Sequence, residues 1–167
     1  MRRFIEKYKN CNLCKLSSLG RRQVVIGRGT VPAPMMIIGE GPGELEDLQG
    51  KAFVGKSGKL LDELLKDMGI KILDEVYITN VVLCRPPKNR NPEIEELEKC
   101  MPRLIEQVKI INPNVILSLG KVASVTLSGI NKNISVLRET ENLTFMGIPL
   151  VCSIHPSFIL RTGTKNI

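Results

Sequence analysis

Four of the five cysteines in this 167-residue chain form a spaced set: Cys11 and Cys14 as a C-x-x-C pair, then Cys84, then Cys100. Thiolates gathered at one point tie distant segments together, so this set constrains the fold more than any other feature. No leading apolar stretch of signal-peptide type precedes Cys11; the first ten residues, MRRFIEKYKN, are mostly polar and basic. The chain therefore reads as one for a reducing, cytoplasmic compartment, where persistent disulfides are rare. Free thiolates with one close pair point to zinc or to an iron–sulfur cluster. The separations leave both open, because the gaps on either side of Cys84 match neither a zinc ribbon nor a bacterial ferredoxin repeat. The plain alternative is four unrelated buried thiols; the C-x-x-C and the polar neighbours Arg85 and Lys99 weigh against it. Cys152 differs: it lies in the apolar run 149–154 and reads as a packed core residue.

The length suits one domain, residues 1–167, around one core. No apolar run approaches the roughly 20 residues needed to span a bilayer, so no membrane partner is expected; the chain is separately read as a monomer. Lys and Arg number 24 against 17 Asp and Glu, a net charge of +7. Such a surplus suits a polyanion, although many soluble proteins are mildly basic without one. With no Trp and two Tyr, an extended aromatic platform for single strands is not expected.

Strand and helix patterns alternate. Residues 34–38, 76–82, 115–119 and 148–154 read as strands. Residues 57–68 carry apolar positions at Leu60, Leu61, Leu64 and Leu65, with Ser57 placed to cap a helix and Gly69 to stop it. Residues 92–111 carry an apolar stripe from Ile94 to Val108, with Pro102 placed to kink or break that helix near Cys100. A short helix follows Gly120. This alternation argues for a three-layer α/β/α sandwich around a central, mostly parallel four-stranded sheet. Gly39-Glu-Gly-Pro-Gly43, Thr79-Asn80, Leu119-Gly-Lys121 and His155-Pro-Ser157 then all fall at the carboxyl ends of strands. Ligands bind beyond that edge in open α/β sheets. Any one of these motifs alone is ordinary turn chemistry. Four at one edge mark a crevice.

In this order, G-E-G-P-G-E-L-E-D (39–47), G-K-A-F-V-G-K-S-G (50–58), Y-I-T-N-V-V-L-C-R-P-P-K-N-R (77–90), N-P-N-V-I-L-S-L-G (112–120) and H-P-S-F-I-L-R (155–161), with the early C-x-x-C, resemble the iron–sulfur, type-4 branch of the uracil-DNA glycosylase superfamily. The resemblance runs from about Cys11 to Arg161. It implies a uracil-DNA glycosylase of base excision repair, acting on uracil-containing DNA. It further implies that Cys11, Cys14, Cys84 and Cys100 ligate a [4Fe–4S] cluster of structural role.

The residue types fit that chemistry. A flipped base needs a fitted pocket, and Phe53 offers a stacking face, though a core Phe is the bland reading. The Asn80 carboxamide can serve both O4 and N3–H of uracil, while cytosine presents the reverse pattern. Alone, Asn80 would pass for a turn residue. By resemblance, His155 donates to uracil O2 and stabilises the departing anion as a neutral imidazole. Amides of Glu40, Gly41 and Gly43 line the pocket beside Pro42, which has no N–H to give. Other branches place an Asp where this chain has Gly41. Glu40, and after it Glu46, are then the candidates to activate water. Lys56, Arg85, Lys88, Arg90, Ser157 and Arg161 are the candidates to meet the DNA backbone, with Lys121 equally well a solvated surface charge.

Two features depart from the family pattern. Members commonly continue past H-P-S-x-x-L-R with a basic segment and a final helix, whereas this sequence stops at Ile167. A related subgroup traps uracil-DNA through an inserted His, and residues 85–99 hold no His, which predicts turnover. The rival readings are a catalytically inactive glycosylase-like DNA-binding module and an unrelated zinc protein.

Overall fold

The structure is a computed structural model and describes residues 1–163; the expectation about the last residues of the chain lies outside them. Its sheet has six strands: β1 (Arg28–Gly29), β2 (Met35–Gly39), β3 (Val76–Asn80), β4 (Val115–Leu119), β5 (Thr144–Phe145) and β6 (Ile148–Ser153), in the order β1-β3-β2-β4-β6-β5. The four expected strands form the parallel centre, and the two-residue strands β1 and β5 pair antiparallel at the edges. The four-stranded expectation is corrected to six on this point. Two-residue strands carry no periodic signal, so they were invisible to pattern reading.

The helices are α1 (Arg2–Tyr8), α2 (Glu44–Gln49), α3 (Lys56–Asp67), α4 (Ile72–Glu75), α5 (Ile94–Ile111), α6 (Lys121–Ser128), α7 (Ile134–Glu139) and α8 (Pro156–Thr162). Strand residues alternate between two cores, as a period of two requires. Met36, Ile38, Tyr77 and Ile116 pack with Leu104, Val108 and Ile111 of α5 and with Leu127 of α6. Ile37, Val76, Ile78 and Leu119 pack with Leu61 and Leu65 of α3. Helices therefore cover both faces, and every residue of β3 is buried.

Two helix expectations need correction. The cap of α3 is Gly55, in extended conformation, not Ser57, which lies inside the helix. Helix α5 runs unbroken through Pro102. Pro102 sits on the exposed face, where water can satisfy the carbonyl it leaves unbonded, and the buried stripe Cys100, Leu104, Val108 and Ile111 holds the helix together. Cys152 is a core residue, as read from sequence.

Candidate active site

A cleft of about 750 Å³ opens at the carboxyl ends of the parallel strands. Glu40, Gly41, Pro42, Gly43, Glu46, Phe53, Asn80 and His155 all line it, as do Lys56, Arg90, Ser157 and Arg161. Four segments distant in sequence thus meet at one crevice.

The register of β2 on β3 sets Gly39 beside Asn80. Gly39 is there because nothing larger fits: a Cβ would stand 2.5 Å from Phe53 Cζ and 2.7 Å from Asn80 Oδ1. Phe53 is held at φ 53°, a conformation unusual for a bulky residue and a sign of a locally constrained loop. Gly58 makes room for it, since a Cβ there would lie 1.8 Å from the Phe53 carbonyl oxygen. The Phe53 and His155 rings stand 5.8 Å apart, tilted by 34°. Asn80 is 1% exposed, and its Oδ1 has no hydrogen-bond partner. A buried acceptor without a donor costs about 1–3 kcal/mol, so a hydrogen-bond donor brought to this atom would relieve that cost.

His155 precedes α8 and caps it. Its Nδ1 accepts from the Ser157 backbone N–H at 3.1 Å, with the Ser157 hydroxyl at 2.8 Å. Burial first, then the Arg161 cation, holds the imidazole below its ordinary value. A neutral ring whose Nδ1 accepts carries its proton on Nε2 and offers one hydrogen-bond donor.

The two carboxylates differ. Burial lifts the Glu40 carboxyl above its ordinary value, as suits a base. Glu46 Oε1 already accepts from the backbone N–H groups of Val54 (2.8 Å) and Gly55 (2.7 Å), so it anchors the Phe53 loop. Among the basic candidates, Lys56, Lys88 and Arg161 are exposed. Arg85 donates to Asn89 and approaches Glu44, and neither Arg85 nor Lys88 lines the cleft. Arg90 instead makes a two-pronged pair with Glu96, at 2.9 and 2.7 Å, and Glu96 is fully buried. Its guanidinium is held at the start of α5 by this pair while the residue still lines the cleft.

Cys11, Cys14, Cys84 and Cys100 line one small cavity, and none is in a disulfide. Among the described residues no group of three or more His, Cys, Asp or Glu is arranged to hold a single metal ion. A cubane cluster binds each thiolate at a separate iron, so its ligands stand apart around a common space, as these do. The donor set fits such a cluster. Arg21, which the sequence did not single out, donates from Nη1 to Cys84 Sγ at 2.8 Å and from Nη2 to the Cys11 carbonyl. Burial pushes the Cys84 thiol up to about 11 against the pull of Arg21. Arg103 was also missed and lines the same cavity. The signal was available: Glu96, Cys100, Arg103 and Gln107 share one face of α5 at helical spacing, and all are buried.

The family model of the uracil DNA glycosylase superfamily matches residues 26–166. The chain belongs to that superfamily. The type-4 uracil-DNA glycosylase of Thermotoga maritima is 42% identical over 163 residues, covering 97% of this chain and 84% of that protein. The type-4 uracil-DNA glycosylase of Pyrobaculum aerophilum is 39% identical, covering 93% and 82%. A DNA polymerase of Bacillus phage SP01 is 30% identical over 81% of this chain, which is 14% of the polymerase. No described helix is long and apolar enough to cross a membrane.

Proposed function

We propose that this protein is a type-4 uracil-DNA glycosylase that hydrolyses the N-glycosidic bond of uracil flipped out of DNA and leaves an abasic site. The observation that carries the reading is the buried, unpartnered Asn80 Oδ1 beside Phe53 and His155. Uracil N3–H supplies the donor that this oxygen lacks, while the Asn80 amide N–H serves O4. Cytosine has an acceptor at N3 and an amine at C4, so it would leave the oxygen opposed by a lone pair.

Phe53 stacks on the flipped ring. His155 Nε2–H donates to O2, where negative charge grows as the bond from N1 to the sugar breaks and its electron pair passes to the base. Water adds to the sugar cation at C1′, and Glu40 takes the water's proton. Lys56, Arg85, Lys88 and Arg161 meet phosphates, with Ser157 near the flipped nucleotide. Cys11, Cys14, Cys84 and Cys100 hold a [4Fe–4S] cluster, which when bound braces the segment after Asn80 and takes no part in the hydrolysis. The protein acts as a monomer in the cytoplasm.

Purified protein on a uracil-containing oligonucleotide, followed by alkali, gives a cut strand that a thymine strand does not. An uncut strand at every salt concentration, with equal binding of both, would instead establish the inactive module, the reading that likeness to part of a polymerase favours.

A further inference from the structure

Only two buried side-chain nitrogen or oxygen atoms among the described residues lack a hydrogen-bond partner: Asn80 Oδ1 and Arg103 Nε. The first belongs to a residue lining the cleft. The second belongs to a residue lining the cysteine cavity. One side chain joins the two places. Arg103 Nη2 donates to the carbonyls of Val81 at 2.7 Å and Asn80 at 3.3 Å, and Nη1 donates to Gln107 Oε1 at 3.0 Å.

Arg103 is 2% exposed, and every acceptor it touches is neutral. It makes no salt bridge with a carboxylate among the described residues. A sealed guanidinium without a counter-anion carries a large desolvation penalty. Four thiolates around an iron–sulfur cluster supply negative charge and sulfur acceptors within the same cavity.

We infer that Arg103 is a positioning residue that takes the cluster as its counter-anion through Nε and, through its Nη groups, fixes the carbonyls of Asn80 and Val81 and so the aim of the uracil-reading amide. The inference rests on the cluster and glycosylase readings proposed above. It makes the cluster more than a brace for the basic loop: its loading sets base recognition by way of one side chain.

The test uses the iron-loaded enzyme and Arg103→Lys, which keeps the charge and loses the fork. Two quantities are read: the rate at which ferricyanide with a chelator bleaches the absorbance near 400 nm, and inhibition by free uracil, a probe of the Asn80 pocket that involves no bond breaking. R103K is expected to bleach about tenfold faster and to be inhibited about tenfold more weakly, the loss of one charge-assisted hydrogen bond at each end. Arg21→Lys, whose donors reach the cysteine segments and not Asn80, is expected to weaken uracil inhibition less than R103K does. Unchanged bleaching in R103K, or faster bleaching with unchanged uracil inhibition, overturns the inference.

A measurement independent of how R103K folds uses the R21K protein carrying arginine labelled with 15N only in its guanidinium, which keeps the backbone nitrogen of Arg85 beside Cys84 silent. Pulsed EPR of its cluster in a paramagnetic state is expected to show an arginine nitrogen coupling, and its absence overturns the inference. Wild-type protein that releases uracil but binds no iron overturns the inference and leaves the glycosylase reading standing. Iron-loaded wild type that releases no uracil sinks both.

Discussion

The backbone N–H of Ser157 donates to Nδ1 of His155 across 3.1 Å, two residues along the same chain. A nitrogen that accepts from a backbone amide carries no proton, so the single ring proton sits on Nε2. The start of α8 thereby selects the tautomer that can donate to a departing base.

His155→Ala is therefore expected to slow uracil release by about 10²–10³, the usual cost of removing one donor to a developing anion. Ser157→Ala keeps the backbone N–H and is expected to lose no more than about tenfold. Single-turnover excision measures both. Equal losses would mean that the hydroxyl, not the amide, holds the ring.

Burial raises the Glu40 carboxyl above 4.5 and lowers the His155 imidazole below 6.5. The active forms are carboxylate and neutral imidazole. The rate should thus stay flat as pH falls through 6.5, then drop at a value above 4.5, with Glu40→Gln abolishing that limb. For stability the His155 sign is opposite to that of a paired histidine. The unfolded chain takes up the proton first as pH falls below 6.5, so that contribution to stability is lost between the unfolded and folded values. A pH–rate profile with a limb at 6.5 would contradict the tautomer argument.

Gly39→Ala should separate fold from function. Its methyl group would collide with Phe53 Cζ and Asn80 Oδ1, atoms of two residues that line the cleft. The cost to stability is about 1–3 kcal/mol, typical of overpacking, while uracil release and inhibition by free uracil should both collapse. A thermal melt beside the excision assay checks the two, and near-normal excision would mean that the pocket walls yield.

Arg90→Ala should act mainly on stability, lowering the melting temperature, because it leaves the buried Glu96 carboxylate without its partner. Lys88→Ala should do the reverse, reducing the salt slope of DNA binding by about 1 with the melt unchanged. Titrations over a salt series distinguish them.

The sequence disclosed the parallel centre of the sheet because each buried strand is a continuous apolar run, and it disclosed the cleft because polar motifs closed four of those runs. The pairing of Arg90 was not legible because a charge in a loop carries no mark of its partner: Glu96 lies six residues on, and only the turn into α5 brings them together. The anchoring of Glu46 was hidden for a similar reason, since backbone amides as partners leave no trace in side-chain spacing. Arg21 and Arg103 went unseen because cysteines drew attention to ligands and not to the cations beside them.

The clamp from Glu46 to the amides of Val54 and Gly55 has a thermodynamic consequence. The wall that carries Phe53 is already ordered before DNA arrives, so little conformational entropy remains to be lost there when the base enters. The temperature dependence of excision should then track the unstacking of the base from its duplex and not the closing of a loop, and Glu46→Ala, which removes the acceptor of both amides, should add an entropic barrier without altering which base is chosen.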